Sequence, residues 1–147
     1  MKIWVDADAC PKPVKDILFR LAERIEIMVT LVANQGMRLP DSPFIKLIQV
    51  GHGADVADDE IINMCEAGDL IITADIPLAA RVVEKEAHAL DPRGKVYDKN
   101  NIGQILSMRN FMDELRGSGV ETGGPKSFGQ KERFKFANEL DKFIAQR

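Results

Sequence analysis

Four short apolar runs constrain this chain more than any other feature. They are IWV at residues 3–5, IMVTLVA at 27–33, IKLIQV at 45–50 and LIIT at 70–73. β-Branched residues dominate them, and a continuous apolar run suits a strand covered on both faces. Segments of helical period lie between most of them. Val14, Ile17, Leu18, Leu21 and Ile25 recur at helical spacing behind Pro11 and Pro13. GHGADVADDEIINMCEAGD opens with a glycine-rich turn and continues as a helix ending near Gly68, and IPLAARVVEKEA follows the fourth run. Alternation of this kind predicts an α/β fold in three layers, with a central, mostly parallel sheet of about four to five strands.

The pattern changes beyond about residue 88. HALDPRGKVYDKNN reads as a turn-rich connection with one short strand around residues 95–97. Ile102, Ile105, Met108, Met112 and Leu115 mark a helix, GSGVETGGPKSFG is a loop, and Phe136, Leu140 and Phe143 mark a final helix. No repeat and no second core pattern is visible, so residues 1–147 read as one domain with a C-terminal helical extension over about 99–147.

Composition narrows the class. No apolar stretch reaches the roughly 18 residues of a membrane span. The N-terminus runs directly into strand-like sequence, without the basic region of a signal peptide. Cys10 and Cys65 are too few for a disulfide framework, so a cytoplasmic chain with reduced thiols is expected. Net charge is −3 but unevenly placed. Residues 1–80 hold 7 Lys/Arg against 13 Asp/Glu, and residues 81–147 hold 13 against 10. An acidic first half and a mildly basic second half result. Arg109, Arg116, Lys126, Lys131, Arg133 and Lys135 supply that positive lobe, either as solvated helix faces or as a surface for a polyanion.

Acids stand where strands end. In an open parallel sheet, ligands bind beyond the carboxyl ends of the strands. Asp6 and Asp8 follow the first apolar run, in VDADAC. Asp75 follows the fourth, in TAD, and Asp58 and Asp59 open the helix before it, in ADDEII. Clustered like charges raise one another's pKa or require a cation. A set of oxygen ligands suits Mg²⁺ or Mn²⁺. Each acid also has a plainer explanation: Asp8 and Asp75 can cap helices, and Asp58 and Asp59 can complement a helix dipole. Asp6 fits neither account well.

Lesser features surround these. His52, between two glycines, and Arg81, six residues after Asp75, are candidate substrate contacts. The GHG and TGGP turns could offer backbone N–H groups to phosphate. Cys10 reads as a small core residue, with a reactive thiol at a helix start as the alternative. Aromatic residues are 6% of the chain and sit mostly at helical core spacing, which offers no stacking platform.

The motifs VDADACP, ADDEII, GDLIITADIPLAARVVEK, ALDPRG, NNI…MRNFMDELR and TGGP…F…RFKFANELD together resemble the YaiI/YqxD family of bacterial proteins. That family is similar in fold to PIN-like nuclease domains, and no reaction is established for it. The resemblance implies one or two Mg²⁺ or Mn²⁺ ions held by Asp6, by Asp58 or Asp59, and by Asp75, with Thr73 as the threonine of the T-x-D motif. PIN nucleases commonly add an acid between the first strand and the mid-chain helix, for which Asp55 is the local candidate.

Three functions are therefore expected in contention. The first is a metal-dependent phosphodiesterase, most simply a ribonuclease, in which Asp6, Asp8, Asp58, Asp59 and Asp75 do the chemistry and Thr73, Arg81 and His52 meet substrate. The second is a PIN-like module that binds RNA or protein without turnover. The third is a phosphatase with an aspartate nucleophile, suggested by D-x-D after a strand and by Asn34 after the second strand. The sequence leaves open whether the chain is a monomer or a homodimer.

Overall fold

A computed structural model of the protein describes residues 1–53, 55–119 and 127–147. In chain order it has β1 (Ile3–Asp6), a 3₁₀ turn (Ala7–Ala9), α1 (Lys12–Ile25), β2 (Val29–Ala33), β3 (Ile45–Gln49) and α2 (Val56–Met64). Then come β4 (Leu70–Ile72), α3 (Ile76–Glu84), β5 (His88–Leu90), β6 (Val96–Tyr97), α4 (Ile102–Gly117) and α5 (Gln130–Gln146).

The six strands form one sheet in the order β3-β2-β1-β4-β5-β6. Every pairing is parallel except β5 with β6. The fold is α/β, as expected, with one or two strands more than the apolar runs announce. The chain lays β2 and β3 on one side of β1, then returns to place β4 on the other. That reversal leaves a crevice at the carboxyl ends of β1 and β4, where open α/β sheets bind ligands.

Two apolar layers sandwich the sheet. Ile3, Val5, Leu31 and Leu70 share one cluster with Val14 and Leu18 of α1 and with Phe136 and Leu140 of α5. Trp4, Val32 and Ile71 share the other with Ile61 of α2 and with Leu78 and Val82 of α3. The alternation of odd and even strand residues between faces is the period of two that a strand imposes. Both faces of β1, β2 and β4 are covered, which explains why those strands read as unbroken apolar runs, whereas the edge strand β3 exposes Lys46 and Gln49. Parallel neighbours are usually joined by a helix. Residues 34–44 join β2 to β3 without one, and Met37, Leu39 and Phe44 of that loop pack on the α1 side of the core instead.

Local signals set the helix starts that frame the crevice. Pro13 of α1 and Pro77 of α3 lie in first turns, where a missing N–H loses no helical bond. Asp75 caps α3, its carboxylate accepting from the Leu78 N–H at 3.0 Å. No helix among the described residues is long and apolar enough to cross a membrane.

Candidate functional site

Parallel pairing of β1 with β4 sets Asp6 beside the segment that leaves β4. Thr73 is the link between them. Its side chain is buried, its hydroxyl donates to Asp6 Oδ2 at 3.0 Å, and its Oγ1 accepts from the Asp75 N–H at 3.0 Å. One threonine thus orients one acid directly and fixes the backbone of a second. Asp75 Oδ1 is held by its cap bond, so both carboxylates have a defined direction.

Asp58 arrives from the first turn of α2. Its carboxyl is pushed up from an ordinary value of 3.8 to about 7, by burial first, then by the charges of Asp75, Asp6 and Asp55, and by a hydrogen bond with Asp75. Burial also raises Asp6, with Asp75 and Asp8 adding to the effect and the Thr73 hydroxyl opposing it. Three acids from three elements therefore sense one another at the crevice. Among the described residues no three such side chains already converge tightly enough to hold an ion.

Asp8 is exposed on the rim. Its carboxylate accepts from the Asn34 backbone N–H at 2.8 Å, and Asn34 Nδ2 donates to the Gly51 carbonyl at 2.8 Å. Asn34 therefore ties the turn after β1 to the end of β2 and to the turn before α2. Its organising role is not visible from spacing. The available signal was its position, as a polar residue directly after a buried strand.

Other expected site residues stand apart. Asp59 pairs with Arg81 at 2.9 Å, and both side chains are largely exposed. Asp58 thus lies in the field of Asp75 and Asp6 while Asp59 meets Arg81, because one turn of helix cannot aim adjacent residues at the same point. Arg81, expected at substrate, is held by Asp59. Asp55 precedes α2 as its cap residue and adds charge near Asp58. His52 lies in the exposed turn before it. The TGGP turn and Lys126 lie outside the described residues. Burial pushes the Cys10 thiol up to about 12, the behaviour of a packed residue and not of a nucleophile. Cys65 is buried in the same way.

Asp69 is the acid that motif reading passed over. It is buried at the start of β4 and accepts from the Lys2 N–H, the Trp4 indole N–H and the Glu66 N–H at 3.0, 3.0 and 2.9 Å. It lies at the opposite edge of the sheet from the crevice, and its work is structural.

Comparison with known proteins agrees with the motifs. Residues 4–146 match the family described as "Uncharacterized BCR, YaiI/YqxD family". The chain is 60% identical over 146 residues to a "UPF0178 protein" of Janthinobacterium sp. (strain Marseille), covering 99% of this chain and 97% of that one. The same identity and coverage hold for "UPF0178 protein" chains of Maridesulfovibrio salexigens and Shewanella loihica. No solved structure matches. The chain belongs to the YaiI/YqxD family.

Proposed function

We propose that Asp6, Asp58 and Asp75 bind Mg²⁺ or Mn²⁺ and that the crevice hydrolyses phosphodiester bonds, with RNA as the favoured substrate. The observation that carries this reading is the forced proximity of the three acids. Folding brings them from β1, α2 and the β4–α3 turn into one another's field, so that one of them holds its proton near neutrality. Evolutionarily idle charge would sit more cheaply in water. An oxygen donor set is the one that hard divalent cations take. The likeness of the VDAD and TAD motifs to those of PIN-like nucleases points the same way.

The chain's own groups divide the work. Thr73 holds Asp6 in one orientation, and the α3 cap holds Asp75. The carboxylates provide the negative field into which a cation moves. When bound, such an ion polarises a phosphoryl oxygen and lowers the pKa of water. Asp8, on the rim and fixed by Asn34, faces the side from which solvent and substrate arrive, where it can position a water by hydrogen bonding.

Cleavage of end-labelled RNA and DNA oligonucleotides in Mn²⁺ tests the reading. Wild-type protein should cut, chelation should stop it, and Asp6→Asn and Asp75→Asn should each lower the rate by at least about a hundredfold. Asp59→Asn should retain activity within a few fold. A wild type that cuts nothing, or an Asp59→Asn loss equal to that of Asp6→Asn, would remove this reading.

A further inference from the structure

Residues 1–80 carry only 7 Lys/Arg against 13 Asp/Glu, yet five of those seven cations line one continuous depression. It runs along α1 beneath the loop of residues 34–44. The larger part, about 600 Å³, is walled by Lys12, Lys15 and Arg38 with Asp16. A second part, about 430 Å³, shares Phe19 and Pro40 with the first and adds Arg20, Arg24 and Glu23. None of the five cations forms a salt bridge among the described residues. Arg20 and Arg24 also border Asp141 of α5, so the positive field is strongest at the Lys12 end.

That end is the one nearer Asp8, whose charge Asp6 senses. Lys12 follows Asp8 by four residues, and Arg38 follows Asn34 by four, while the Asn34 N–H holds the Asp8 carboxylate at 2.8 Å. The helix α1 begins where β1 ends, so its cations from Lys12 to Arg24 extend roughly 18 Å away from the crevice at 1.5 Å per residue. The floor is apolar: Phe19, Met37, Leu39 and Pro40. Cations above an apolar floor match an unstacked strand, whose phosphates meet the walls and whose bases meet the floor, with Phe19 supplying one ring there although the sequence announces no stacking platform. A duplex hides those bases, and an acidic peptide gains little from such a floor.

We propose that this groove takes a single-stranded RNA and leads one of its phosphodiesters to Asp6, Asp58 and Asp75. The inference rests on the phosphodiesterase reading for its direction, and it names how substrate approaches that site.

Fluorescence anisotropy tests it with a labelled single-stranded RNA of about 12 nucleotides, in chelator so that nothing is cut. Wild type, the double variant Lys12→Gln/Arg38→Gln and the α5 control Lys131→Gln/Lys142→Gln are compared, with thermal midpoints confirming that each folds. Lys15→Gln serves as a second groove variant. Each lost phosphate contact lowers the slope of log K against log salt by about 0.7, so the double variant should lose about 1.4 and bind roughly tenfold more weakly. The control should match wild type, and duplex RNA and poly-glutamate should compete poorly. Unchanged binding by both groove variants overturns the proposal, as does equal competition by duplex or poly-glutamate. The two readings separate cleanly. RNA held through the groove but never cut in Mn²⁺ keeps the groove and removes the hydrolase. RNA cut with a KM that the groove variants leave unchanged keeps the hydrolase and removes the groove.

Discussion

Asp58 reports on the acid cluster even without a ligand. Its folded value of about 7 lies above the ordinary 3.8, so the folded state binds more protons than the unfolded state between those limits. Stability from this group is therefore fully present below about pH 4 and is lost as pH rises toward and through 7. Asp58→Asn removes the charge and keeps an N–H that can donate to Asp75. The metal-free variant should melt a few degrees above wild type near pH 8 and level with it near pH 4, as followed by circular dichroism. An equal difference at both pH values would contradict the coupling. Asp69 poses the opposite case, an acid whose three donors make it part of the scaffold. Asp69→Ala strands the Trp4 indole and two backbone N–H groups, and should cost about 3 kcal/mol in denaturant unfolding. Motif reading could place Asp6 and Asp75 at the carboxyl edge of the sheet because strand ends announce themselves. It could not separate Asp58 from Asp59, since that depends on how α2 is rotated about its axis.

At the scale of elements, β5 and β6 form an antiparallel hairpin that the sequence scarcely reveals. Only the second strand was expected, because HAL and VY are too short for alternation to show and His88 is exposed. The turn between them is better marked. Asp91 accepts from the Arg93 N–H at 2.6 Å, and the Gly94 N–H donates to the Asp91 carbonyl at 2.8 Å. Gly94 adopts φ +90°, and a Cβ there would stand 2.8 Å from the Lys135 carbonyl carbon and 2.9 Å from the Phe136 nitrogen. The ALDPRG turn thus docks directly on the backbone of α5, which seats Phe136 in the core. Gly94→Ala combines left-handed strain with a backbone clash, and should destabilise by about 3 kcal/mol in urea unfolding. A change below about 0.5 kcal/mol would show that α5 can retreat at no cost. The C-terminal helices were legible from their stripes, but their packing differs. The stripe of α5 is buried at Phe136 and Leu140, whereas α4 buries no residue fully and leaves Met108 and Phe111 about half exposed.

Across the whole molecule, charge counted along the chain is an incomplete map of charge in space. In the basic second half Arg109 and Arg116 both pair with Asp113, while Lys131, Arg133 and Lys135 stand on α5. The acidic first half also lines a groove along α1 with cations, because α1 and the helix-free β2–β3 loop bring Lys12, Lys15 and Arg38 together. Strand order was equally hidden, since it follows from crossovers and not from local pattern. What could be read was the α/β class, the four main strands and the carboxyl-edge acids, each carried by local periodicity or by a residue next to a strand end. The central claim is that Asp6, Asp58 and Asp75 make one divalent-cation site. Thermal unfolding in Mn²⁺ tests it most directly, because a ligand at a hundredfold excess over Kd stabilises the folded state by about 2.7 kcal/mol. Wild type and Asp59→Asn should rise by several degrees, while Asp6→Asn and Asp75→Asn should not respond. A wild type indifferent to Mn²⁺, or variants that respond as it does, would contradict the account.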